Sequence, residues 1–499
     1  MMPTRPGTRR RRPARHRRRW VRLDNASNIF LAARSDVDTK VFRMSAELDH
    51  EVDPELLQEA LEATFARFPL YHAVLRRGVF WYYLQDSDLQ PVVEAETEHT
   101  CAPIYQADRR TLLFRVVHHR RRVSLEVFHA LSDGTGALWF LTALLDAYVR
   151  RRFPEECGAD GDSAGAPERP DPPPERLGTR AGALAADEVH ELTTDSFAQY
   201  FRRRRRARRE RADHQEEFSR EAAPAVLTVE EAEEPLPEEA AAPEPEPTPP
   251  ARHVHRVRGT RTPDHRTRVL ELTMPAAPVL ARAKGEGVAM SMYLTALFFE
   301  ALRRTGAGAP PAPTLTASVP VNLRQFFPST SARNFFATIT VEHTYGEGDD
   351  SVGAVARHLQ EDFSAEATPE SLDEKLHRLI RVERSPFARI VPRPLKDTLL
   401  SLVNRVNNRS LTIAISNLGR VTLPEPATSH VGRMAFHVSA ARPQFCAISH
   451  AGLLTISFTS PFVETDHVRE YARLLTEAGI EVSLAATRTT EAELAEVGR

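Results

Sequence analysis

The chain is poor in cysteine, in lysine and in long apolar runs, and each shortage excludes a class of protein. Its three cysteines in 499 residues, Cys101, Cys157 and Cys446, are odd in number and far apart. They form neither a disulfide framework nor a zinc spacing, and a reducing cytoplasm fits that usage. The most apolar stretch, ALWFLTALLDAYV (137–149), falls short of the roughly 20 residues a membrane span needs. The arginine-rich N-terminus has no apolar segment behind it, so it does not read as a secretory signal. Lysine occurs only as Lys40, Lys284, Lys375 and Lys396. The arginine bias reads as the mark of a GC-rich gene rather than of a phosphate-binding design.

What is present is charge in near balance, 66 Lys+Arg against 68 Asp+Glu for a net of -2, but badly mixed along the chain. RPGTRRRRPARHRRRW (5–20) and RRRRRARRERADH (202–214) are basic, and EEAEEPLPEEAAAPEPEPTPP (230–250) is acidic and rich in proline. Such segments cannot bury enough apolar surface to offset chain entropy. The expected organisation is therefore a basic lead-in (1–20), a first globular half (21–153), a low-complexity linker (154–260), a second globular half (261–485) and a tail (486–499). Within the linker, LTTDSFAQYF (192–201) alone has a helical apolar face.

Both halves alternate strands and helices. VFRMSAEL (41–48) has strand periodicity, and DPELLQEALEATFARFP (53–69) puts Leu57, Ala60, Leu61 and Phe65 on one helical face. LLFRVVHH (112–119) and VSLEVF (123–128) predict a hairpin turning at arginines 120–122. In the second half, TRVLELTMP (267–275) predicts a strand and SMYLTALFFEALRR (291–304) a helix with Ser291 as N-cap. TLTASVPVNL (314–323) and LTIAIS (411–416) predict strands, and FCAISHAGLLTISFTS (445–460) a hairpin turning at Ala451-Gly452.

Three short segments can carry chemistry. The first is HALSDG (129–134), at the end of a strand. A neutral imidazole there can take a proton near pH 7, and Gly134 lets the loop bend around Asp133. Read alone, the bland alternative stands: a satisfied polar strand end, with Asp133 as the cap of the next helix. The second is VPVNLRQFFPSTSARNFF (319–336), where Arg324 can pair an aspartate. The third is AISNLG (414–419), where Ser416 and Asn417 can either donate to an oxyanion or make an Asx-type turn. No metal-ligand spacing is visible.

Taken together these segments resemble the chloramphenicol acetyltransferase-like superfamily, which includes condensation domains of peptide synthetases. They are most similar to its bacterial alcohol acetyltransferase-like branch. The resemblance rests on H-x-x-x-D-G (His129, Asp133, Gly134), RLDNASNIF (22–30), DSFAQYF (195–201), the 319–336 block and ISNLG (415–419). It implies an α/β (α+β) fold of two similar lobes arranged as a pseudo-dimer around a channel. It implies an acyltransferase in which His129 is the general base. Asp133 and Gly134 shape its loop, with Arg324 as the aspartate's partner, and Ser416 or Asn417 faces the oxyanion. No cofactor stays bound. The acyl thioester, from CoA or from a carrier protein in trans, is a co-substrate, and the acceptor is an alcohol or an amine. Two departures stand out: Phe128 replaces a second histidine found in many relatives, and the D-F-G-W-G segment of the plant enzymes is absent. Two other readings compete. One is a catalytically silent condensation-like scaffold. The other is a nucleic-acid or anionic-surface binder working through its arginine runs, which lack interleaved aromatics.

Overall fold

A computed structural model describes residues 20–23, 25–157, 254–262, 266–306, 312–327, 329–384 and 391–487. The expected helix at 192–201, the lead-in, most of the linker and most of the tail lie outside these residues.

In the first half the chain runs β1 (Trp20–Arg22), α1 (Asn25–Ala33), β2 (Val41–Leu48), α2 (Pro54–Arg67), β3 (Ala73–Arg77), β4 (Tyr82–Asp86), β5 (Val93–Ala95), β6 (Phe114–His119), β7 (Arg122–Phe128) and α3 (Gly134–Arg152). The Asp53 carboxylate caps α2 by accepting from the backbone N–H groups of Glu55 and Leu56, and Leu57, Ala60, Leu61 and Phe65 are buried. The β6–β7 hairpin turns with Arg120 in the left-handed region at φ 50°.

The second half runs β8 (Arg268–Pro275), α4 (Ala276–Gly285), α5 (Met290–Thr305), β9 (Thr314–Asn322), β10 (Phe336–Thr344), α6 (Val352–Glu366), α7 (Pro369–Arg384), α8 (Arg393–Arg409), β11 (Ile413–Arg420), α9 (Ala427–His430), β12 (Val431–Val438), β13 (Gln444–His450), β14 (Leu453–Ser460), α10 (Asp466–Glu477) and β15 (Ser483–Ala486). The β13–β14 turn has Ala451 at φ 48° and Gly452 at φ 79°, the paired left-handed residues of a type I′ hairpin. The N-cap of α5 is Ala289, with no side-chain cap. Ser291 is not the cap: it lies in the first turn, where its Oγ accepts from Asn417 Nδ2 at 2.9 Å. Elements α6, α8 and β12 are not among those expected from the sequence.

The strands form a five-stranded sheet ordered β12-β2-β7-β6-β5, a seven-stranded sheet ordered β10-β9-β11-β13-β14-β8-β15, and a small sheet β1-β4-β3. One strand crosses between halves: β12 pairs antiparallel with β2, from Val431 opposite Leu48 to Val438 opposite Phe42. The chain then returns to the large sheet as β13. A charged clamp reinforces this crossing. Glu271 on β8 accepts from Arg433 Nη1 at 2.9 Å and lies 2.9 Å from His437 Nε2, both partners being on β12. The result is two α/β lobes, each with its own apolar core. Among the described residues, no helix is long and apolar enough to cross a membrane.

Candidate active site

His129 is the first residue past β7. Its backbone N–H donates to the Lys40 carbonyl at 2.8 Å, with Lys40 in the left-handed region at φ 58°. The imidazole stacks on Phe30, with ring centroids 3.9 Å apart and planes 18° apart, and meets the Phe42 ring edge-on at 5.0 Å.

Asn334, 205 residues further along, fixes which ring nitrogen carries the proton. Its Nδ2 donates to Ser27 Oγ at 2.8 Å and to the His129 carbonyl at 2.7 Å. Both amide protons being committed, Oδ1 is the atom that faces the ring, 3.2 Å from His129 Nδ1. A carbonyl oxygen accepts, so Nδ1 carries the hydrogen and Nε2 keeps its lone pair. Burial pushes the imidazole pKa down to about 4, against an opposing pull from Asp133. The ring is neutral at pH 7.

Asp133 caps α3: its Oδ1 accepts from the Gly136 N–H at 2.9 Å. Its Oδ2 accepts from Arg324 Nη1 at 2.7 Å and from the Phe335 N–H at 2.8 Å. Arg324 is buried and spends its other donors on carbonyls, with Nη2 reaching Ser331 at 2.8 Å and Arg333 at 2.6 Å. The pair thus pins the N-terminus of α3 in one lobe to the 323–335 segment of the other. Asn322 adds a link, donating to Thr135 Oγ1 at 3.2 Å.

The glycines here serve close approach rather than bending. A Cβ on Gly134 would meet Leu418 Cδ2 at 2.8 Å, and one on Gly136 would lie 2.2 Å from the Ala332 carbonyl oxygen. Gly134 is the first residue of the helix and does not have positive φ, so the bend expected of it is not the reason for the glycine. The Ser132 hydroxyl donates to the same Ala332 oxygen at 2.6 Å.

Between the lobes lies a cavity of about 530 Å³ lined by residues of both, His129, Asp133, Gly134, Ser416 and Asn417 among them. The Asn417 amide is partly engaged: Oδ1 accepts from the Gly419 N–H at 2.8 Å and Nδ2 spends one of its two hydrogens on Ser291. Ser416 has no such commitment among the described residues. The sequence reading missed Asn334, Phe30 and Lys40 as neighbours of His129. Asn334 lies inside the 319–336 block, but no local signal connects it to a residue 205 positions away.

No protein-family model and no curated protein matches the chain. Solved structures do. The first condensation domain of the calcium-dependent antibiotic synthetase, in complex with a substrate analogue, is 17% identical, with 92% of this chain and 96% of that one covered and a TM-score of 0.52. TRI3 trichothecene 15-O-acetyltransferase from Fusarium sporotrichioides is 9% identical, with 93% and 94% covered and a TM-score of 0.54. TRI101 from F. sporotrichioides, complexed with coenzyme A and T-2, is 9% identical, with 93% and 99% covered and a TM-score of 0.53. At such identities the likeness is one of fold: the chain has the two-lobed α/β fold of these condensation-domain and acetyltransferase structures.

Proposed function

We propose that the chain is an acyltransferase that moves an acyl group from a thioester, on CoA or on a carrier protein, to an alcohol or amine held in the cavity between its lobes. The observation that carries this is His129: a neutral imidazole, its Nδ1 hydrogen held by Asn334, on the wall of a cavity shared by both lobes. The fold is also that of proteins whose names include an acetyltransferase and a condensation domain.

In this mechanism His129 Nε2 takes the proton as the acceptor's oxygen or nitrogen attacks the thioester carbonyl. The tetrahedral intermediate carries the negative charge on the former carbonyl oxygen, where the Ser416 hydroxyl or the remaining Asn417 amide hydrogen, both on the cavity wall, can donate to it. Collapse breaks the C–S bond. The departing thiolate recovers the proton from the imidazolium, so the histidine ends as it began and no acyl-enzyme forms. Asp133, Gly134 and Arg324 hold the loop that carries His129. The finer reading, O-acylation by an alcohol acetyltransferase, rests on the sequence resemblance.

The test is thiol release from acyl-CoA and acyl-carrier donors across a panel of alcohols and amines. His129→Ala should lower turnover by about 10²- to 10⁴-fold with the circular dichroism spectrum unchanged. Equal turnover in that variant would remove the mechanism. No thiol release across the whole panel would favour a binding scaffold.

A further inference from the structure

Among the described residues, the cavity wall holds one cation with no carboxylate in hydrogen-bond contact. The carboxylates lining it are Asp38 and Asp133, and both are already paired. Arg324 takes Asp133, and Lys40 Nζ takes Asp38 at 2.6 Å, with a further hydrogen bond from Ser439 Oγ at 2.9 Å. Arg442 lines the same cavity and has no carboxylate in hydrogen-bond contact among the described residues. Its Nη2 donates to Asn408 Oδ1, a neutral acceptor, while Nη1 is buried with no hydrogen-bond partner among them. Its setting is rigid: Gln444 Nε2 cross-braces the β12–β13 connection by donating to the Val438 carbonyl at 3.0 Å. A buried, unsatisfied guanidinium donor is costly to maintain, and an oxyanion is the group whose geometry it satisfies.

We propose that Arg442 forms an anion subsite of this cavity, which takes a carboxylate or phosphate of a substrate whose reacting group lies at His129. The subsite rests on the acyl-transfer reading only in that the reacting group lies at His129. Burial lowers the Arg442 pKa against a pull from Asp38, and a bound anion would reverse that loss. The shared chemistry has two sources: a carboxylate on the acceptor, or a phosphate on the thioester donor.

The test measures equilibrium binding to the full chain, by calorimetry, with succinate, inorganic phosphate, coenzyme A and the phosphate-free pantetheine. Wild type is compared with Arg442→Gln and Arg442→Lys. At least one anion should bind tenfold or more weakly to Arg442→Gln, with Arg442→Lys in between and pantetheine unaffected. Loss confined to coenzyme A and phosphate assigns the donor, and loss of succinate assigns the acceptor. The ligand-free Tm of Arg442→Gln should be unchanged or higher, because an unsatisfied buried charge has gone. Equal affinities of wild type and Arg442→Gln for all three anions would overturn the subsite, and a lowered Tm with those equal affinities would make Arg442 a brace for Asn408. Binding is read without turnover. Arg442-dependent anion affinity in a protein that releases no thiol would therefore spare the subsite and sink the acyl-transfer reading, and thiol release with equal affinities would do the reverse.

Discussion

At His129 the chemistry turns on one hydrogen. Because Asn334 donates twice elsewhere, its oxygen can only accept, and that leaves Nε2 as the base. The pH dependence follows with its sign. Burial puts the pKa at about 4, so the free protein holds the neutral, competent form above that value and loses it as pH falls through it. The acid limb of kcat/KM should therefore lie near pH 4, well below an ordinary histidine's roughly 6.5. Asn334→Asp puts a carboxylate against Nδ1, which favours the imidazolium, and should move that limb upward while lowering kcat. A limb that stays put in Asn334→Asp would show that the residue only packs.

At the scale of elements, the N-terminus of α3 is the joint between catalytic loop and second lobe. Asp133 serves three partners there at once: the Gly136 N–H, the Phe335 N–H and Arg324. The ion pair is buried, so its stabilisation is modest, but removal of either partner leaves a charge alone and costs about 3–5 kcal/mol. The glycines differ in kind. Gly136→Ala drives a Cβ to 2.2 Å from a backbone oxygen that cannot step aside, whereas Gly134→Ala meets only the flexible end of Leu418 at 2.8 Å. Overpacking typically costs about 1–3 kcal/mol, and Gly136→Ala should fall at or beyond the top of that range, with Gly134→Ala near the bottom. Urea denaturation of both variants checks the order. Equal losses would mean that the Ala332 segment yields as easily as a leucine side chain. H-x-x-x-D-G is legible as a string, but its extension to a second glycine is not, because the reason for Gly136 is a carbonyl 196 positions away in sequence by residue number.

At the scale of the molecule, β12 makes the two halves interdependent. It completes the edge of the five-stranded sheet beside β2, and Glu271 holds it from the other sheet. We propose that the two globular halves read from sequence, 21–153 and 261–485, are lobes that do not fold separately. A chain broken between residues 158 and 253, with both pieces expressed together, should purify as an equimolar complex that retains activity. The first piece alone should aggregate, because β2 then presents an unpaired, mostly buried edge. A folded, monomeric first piece with no affinity for the second would contradict this.

Strand and helix periods, the hairpin turns and the order of the chemical segments are local properties, set by residues within a few positions of one another. The sequence by itself therefore determined the alternating α/β character, the hairpins at Arg120 and Ala451-Gly452, and the candidates His129, Asp133, Arg324 and Ser416. The sequence reading missed α8 although Leu395, Leu399, Leu402, Val403 and Val406 stand at helical spacing in it, exposed rather than buried. The strand β12 escaped for a physical reason: its partner is nearly four hundred residues away in sequence. Only the tertiary structure decided that Asn334 sets the tautomer of His129, that Asn417 is tied to Gly419 and Ser291, and that Arg442 has no hydrogen-bonded carboxylate among the described residues. Each of these depends on which side chains meet across the two lobes. A side chain's remaining hydrogen-bonding capacity is known only after every neighbour has been counted.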